Sequence, residues 1–66
     1  MDQDYLRQQI HLLVKETGIK KSFIAQSINE NPNNFSRWLT KKRNYGPERE
    51  NQIKTFLIER GYLDDG

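Results

Sequence analysis

Residues 21–43 read KSFIAQSINENPNNFSRWLTKKR, and the way this stretch folds decides the rest. Ile24 and Ile28 stand one helical turn apart, with Ala25 between them small enough to let a second helix come close. That spacing predicts a short helix over about residues 21–28. Asn29 is a natural stop, because asparagine tolerates a positive φ better than most residues other than glycine. Asn31 then reads as an N-cap and Pro32 as a first helical position, where its missing N–H is no loss and its φ is already helical. Beyond them Phe35, Trp38 and Leu39 recur at intervals of three and four, an inward face for a further helix over about 32–41. The indole is the largest apolar group in the chain, so a small core must bury it. Asn33, Asn34, Ser36, Arg37 and Thr40 then point away from that core.

Outward from this stretch the pattern stays helical. Leu6, Ile10, Leu13 and Val14 make one apolar stripe over about 4–17, with Asp2 or Asp4 as cap and Gly18 as the left-handed end. His11 lies beside the stripe as a boundary residue with no chemical task. Phe23 follows Ile19 toward the second helix. After the loop KRNYG, Pro47 opens a fourth helix over about 47–60, in which Glu48 and Glu50 complement the helix dipole. Its buried stripe is Ile53, Phe56 and Leu57, and Gly61 ends it. Residues 61–66 form a tail in which Tyr62 or Leu63 folds back. No window alternates like a strand. The expectation is one all-α domain over 1–66, a compact bundle of four, or at most five, short helices.

Sixty-six residues without cysteine, and with a single histidine, leave no disulfide or thiolate metal site to reinforce such a core. No cofactor is expected. No apolar run approaches the roughly 20 residues of a membrane span, and the first residues lack the order of a secretion signal, so a cytoplasmic location is expected. Charge is unevenly placed. Residues 15–49 hold eight Lys or Arg against three acids, net +5, while the ends carry −1 and −2. Concentrated positive charge suits a polyanion. There is no paired-carboxylate site, no nucleophile beside a base and no glycine-rich phosphate loop, so an enzyme is not expected.

The second and third helices are separated by about three residues, too few for an antiparallel return, so they cross steeply as a helix-turn-helix does. Ala25, Ile28, Phe35 and Trp38, together with "FSRW" followed by Lys42 and Arg43, resemble the lambda-repressor-like, Cro-type (XRE-like) helix-turn-helix family. The likeness covers residues 18–45 directly, and the outer helices extend it. It departs from the family in three places. Lys20 and Lys21 stand where a hydroxyl cap and a glutamine are usual. Glu30 replaces a buried aliphatic residue in the turn, so it is expected to point outward. Lys41 replaces a frequent glycine, so the third helix is expected to run on.

The resemblance implies a double-stranded DNA partner and a small transcriptional regulator, a repressor of phage or mobile-element type, with the third helix in the major groove. Geometry agrees, since a helix fits that groove and the outward residues suit base edges. Asn33, Asn34, Arg37 and Ser36 are the candidate base contacts. Lys21, Lys41, Lys42, Arg43 and Asn44, with Tyr45 assisting, are the candidate phosphate contacts, and the free N–H groups opening the third helix are expected to face the groove. Ile58 and Tyr62 lie one turn apart, off the core stripe. They meet either a second copy of the chain, giving a homodimer, or the first helix of the same domain. The competing reading is a protein-binding module, such as an antirepressor or adaptor, built on the same fold.

Overall fold

The structure, a computed structural model, describes residues 3–64. Four α-helices and no strand occur among them: α1 (Gln3–Thr17), α2 (Lys21–Ser27), α3 (Pro32–Leu39) and α4 (Pro47–Glu59). The chain is all-α. Its Cα radius of gyration is 10.7 Å, and about 10.8 Å is what a close-packed chain of 66 residues should have. No helix is long and apolar enough to cross a membrane.

α2 packs on α3, and α1 packs on α4. The stripes converge as their spacing dictates: Leu6, Ile10 and Leu13 from α1, Ile24, Ala25 and Ile28 from α2 and its end, Phe35, Trp38 and Leu39 from α3, and Ile53, Phe56 and Leu57 from α4. Phe35 and Trp38 are each 0% exposed. Their rings stack at 5.7 Å, and Tyr45 continues the stack 5.3 Å from Trp38. An aromatic column therefore runs through the middle of the domain.

All four helices end in a left-handed residue: Gly18 (φ 71°), Asn29 (56°), Lys41 (67°) and Gly61 (80°). The last carbonyls find partners this way. After α2, the N–H of Asn29 donates to Gln26 O at 3.1 Å and that of Glu30 to Ala25 O at 2.8 Å. After α3, Lys41 N–H donates to Trp38 O at 3.1 Å and Lys42 N–H to Arg37 O at 2.8 Å. This paired pattern is the Schellman motif. It corrects the expected extension of α3 to residue 41. The helix stops at Leu39, with Thr40 as its cap, because Lys41 adopts the backbone that a glycine would take.

Other boundaries differ by a residue. α1 is described from Gln3, so Asp4 lies within the helix, where it pairs with Arg7 at 2.8 Å; Asp2 lies outside the described residues. α2 ends at Ser27 with Ile28 as its cap, and α4 ends at Glu59 with Arg60 as its cap. Asn31 caps α3 as its side chain accepts from Asn33 N–H at 2.7 Å, and Pro47 is the first residue of α4.

Candidate nucleic-acid interface

The polar side of α3 is sorted by burial. Asn33, Ser36, Arg37 and Thr40 are exposed, on the side of the helix opposite the buried Phe35, Trp38 and Leu39. Ser36 and Arg37 lend only their carbonyls to Thr40 and Lys42, so their side chains are presented to solvent. Asn34 differs. It is half-buried, and it lies near the Glu30 carboxylate, whose ionised form it favours. The Asn33 N–H at the start of α3 is taken by the Asn31 cap, so this end of the helix offers fewer free donors than its sequence implies.

Glu30 is half-buried and does not simply point outward. Its carboxylate accepts the Asn31 N–H at 2.8 Å. Burial raises its pKa, but the Asn31 N–H, the Tyr45 hydroxyl, the Arg49 guanidinium and Asn34 together outweigh burial and hold it below the usual value. The acid therefore stitches the α2–α3 turn to the residues around it. Arg49 of α4 adds to the same corner by donating to the Ile28 carbonyl and, at 3.3 Å, to Gln52 Oε1.

Past α3, Lys41, Lys42, Arg43 and Asn44 form an exposed turn. Lys41 Nζ lies 3.7 Å from Asp4 Oδ1, with the two side chains 67% and 47% exposed. Arg43 lays its guanidinium 5.4 Å from the Tyr45 ring centre. Tyr45 itself is 7% exposed, which removes it from the surface contacts expected of it. Its ring is core, and periodicity carries no signal for a buried residue in a loop. The Tyr45 hydroxyl is buried without a hydrogen-bond partner of ordinary geometry. Burial, together with the neighbouring Glu30 carboxylate, pushes its pKa well above the usual tyrosine range.

Lys21 is exposed at the first residue of α2. At the other end of the chain, Ile58 and Tyr62 are half-buried. Tyr62 meets α1 of its own chain: its hydroxyl donates to Glu16 Oε1 at 2.5 Å, and its carbonyl accepts from Gln9 Nε2 at 2.7 Å. The hydrogen bond to Glu16 raises the Tyr62 pKa. Of the two alternatives raised for this residue, the contact with the first helix is present.

Two side chains of α1 join this region and were not singled out by pattern. Gln3 accepts from Trp38 Nε1 at 2.9 Å and from Tyr45 N at 3.1 Å, and donates to Tyr45 O at 2.9 Å. Arg7 is a buried cation at the end of α3. Their spacing of four places both on one face of α1, the only hint that the sequence carries. Elsewhere, a surface groove between α2 and α4, lined by Ser27, Ile28, Phe56, Glu59 and Arg60 among others, takes no residue from α3. Among the described residues no three His, Cys, Asp or Glu side chains gather as a metal site.

No family model, curated protein or solved structure matches the chain.

Proposed function

We propose that the chain binds double-stranded DNA sequence-specifically, as a small Cro-like transcriptional repressor in which α2 and α3 form a helix-turn-helix and α3 enters the major groove. One observation carries the reading. The buried Phe35 and Trp38 fix the rotation of α3 about its axis, and that rotation leaves Asn33, Ser36 and Arg37 open to solvent beside a turn bearing Lys41, Lys42 and Arg43. Arginine grips guanine O6 and N7 with two hydrogen bonds, asparagine pairs with adenine N6 and N7, and serine suits either base. The three cations of the turn, with Lys21 on α2, supply the contacts to phosphate that orient a protein without reading sequence.

Four phosphate contacts imply a plot of log affinity against log salt with a slope of about −3.6, hence a loss of about a hundredfold between 50 and 200 mM salt. The test is selection of bound duplexes from a random pool, followed by titration of the enriched sequence across that salt range. An enriched sequence with a steep slope supports the reading. No duplex bound at 50 mM salt refutes it.

The exposed Phe23, with the Arg60 guanidinium 5.8 Å from its ring centre, favours the second reading, a protein-binding module. Under that reading substitution of Phe23 disturbs the activity and substitution of Arg37 does not.

A further inference from the structure

Arg7 is the one buried charged residue among those described, 5% exposed. Placing a guanidinium inside so small a core is unfavourable unless its donors are met. They are met almost completely. Nε donates to Trp38 O at 2.5 Å, Nη1 to Asp4 Oδ1 at 2.8 Å, and Nη2 to both Arg43 O at 3.0 Å and Asn44 Oδ1 at 3.1 Å. The guanidinium carbon also lies 5.0 Å from the centre of the Trp38 ring. Four of the five N–H groups of a rigid fork are thus used, an arrangement that an ammonium cannot reproduce.

The acceptors are the significant part. Trp38 O belongs to the last turn of α3, while Arg43 O and Asn44 Oδ1 lie beyond the left-handed Lys41. Arg7 therefore grips the exposed turn at both ends. Gln3, one helical turn earlier, holds the next residue by bonding both the N–H and the carbonyl of Tyr45. Between the gripped points stand Lys41 and Lys42, whose side chains are exposed.

We propose that Arg7, with Gln3 beside it, is a positioning residue for DNA binding: it touches no nucleic acid and holds the Lys41–Asn44 turn in the shape that meets phosphate. This rests on the DNA-binding reading. An exposed polar turn ordinarily loses conformational freedom when it docks, and a turn ordered beforehand avoids that loss. A hydrophobic residue at position 7 would fill the same space, but it would leave the carbonyls of Trp38 and Arg43 without this donor and the turn untethered from α1.

The experiment compares the wild type with Arg7→Met and Arg7→Lys on an enriched duplex and a random duplex. Titrations run from 50 to 200 mM salt, at a temperature where circular dichroism shows each protein folded. Arg7→Met is expected to lose about tenfold or more on both duplexes alike and to flatten the salt slope by about 1.8, the share of two phosphate contacts. Arg7→Lys keeps the charge but cannot span the turn, so it is expected to stay weak. A folded Arg7→Met with wild-type slope and affinity overturns the proposal. So does full rescue by Arg7→Lys, which would mean that charge alone matters.

If neither variant folds, Gln3→Met carries the test, because it releases Tyr45 and leaves the buried guanidinium in place. A flattened slope supports the clamp, and an unchanged one overturns it. Wild-type protein that binds no duplex refutes the DNA-binding reading itself, a result distinct from wild-type binding with unaltered variants.

Discussion

Lys41 offers the sharpest test of how the exposed turn is built, through a comparison of Lys41→Gly with Lys41→Ala. At φ 67° an L-residue carries a steric penalty of about 1–2 kcal/mol that glycine does not. Glycine returns about 0.4–1 kcal/mol of this through the greater freedom of its unfolded chain. Both substitutions remove the Lys41–Asp4 contact, which at 3.7 Å between largely exposed groups contributes about 0.5 kcal/mol at most. That loss cancels in the comparison, leaving the glycine variant more stable than the alanine variant by about 1 kcal/mol. For a domain of this size the difference corresponds to about 4–8 °C in melting temperature. Thermal and urea unfolding followed by helical circular dichroism will measure it. An alanine variant as stable as the glycine variant, or more so, would mean that residue 41 is helical. The extension of α3 implied by its sequence would then stand, and the Schellman ending described above would fall.

Three further outcomes are expected. Arg37→Ala should lose discrimination at one or two base pairs, about 1–3 kcal/mol in a competition assay, while other positions of the site keep their preferences. Lys42→Ala should weaken all duplexes similarly and reduce the salt slope by about 0.9; identical sequence-blind losses in both variants would remove the assignment of α3 as the reading helix. Glu30 has a lowered carboxyl pKa in the folded chain, so its contribution is present above the unfolded carboxylate pKa of about 4.3 and fades as pH falls through the lowered value. Urea unfolding of Glu30→Gln should therefore show a deficit against wild type at pH 7 that narrows at pH 3, and a constant deficit would contradict the role given to this carboxylate.

Much of the architecture could be read locally. Asn31 and Pro32 mark the start of α3, Gly18 and Asn29 mark two stops, and the interval from Phe35 to Trp38 sets the inward face, because caps and 3.6-residue periodicity are written within a few neighbours. The misread features depend on distance. Tyr45 is buried in a loop because Trp38 offers it a stacking face, and no spacing rule encodes that pairing. Arg7 looks like an ordinary exposed cation until its distant acceptors on Trp38, Arg43 and Asn44, 31 to 37 residues away, are in place. Glu30, whose type implies an outward side chain, is half-buried, because Asn31, Asn34 and Arg49 give its carboxylate a polar setting. Lys41 stands where a glycine would have signalled the stop, yet its N–H and that of Lys42 reach the carbonyls of Trp38 and Arg37 and make a left-handed ending the better solution. Within the candidate interface, the sequence divided α3 into an inner and an outer side, but did not show that Asn34 is half-buried beside an acid of the preceding turn.

The long reach of α1 also orders events during synthesis. This helix is translated first, but its hydrogen bonds to Arg43, Tyr45 and Tyr62 span 36, 42 and 53 residues, so it must wait for most of the polypeptide to emerge before it can dock. The α2–α3 pair needs only neighbours and can close early, since short loops are entropically cheap to form. A nascent chain paused after residue 43 would hold α3 beside a first helix still lacking its Tyr45 and Tyr62 tethers, and the Gln9–Tyr62 contact would be among the last to lock.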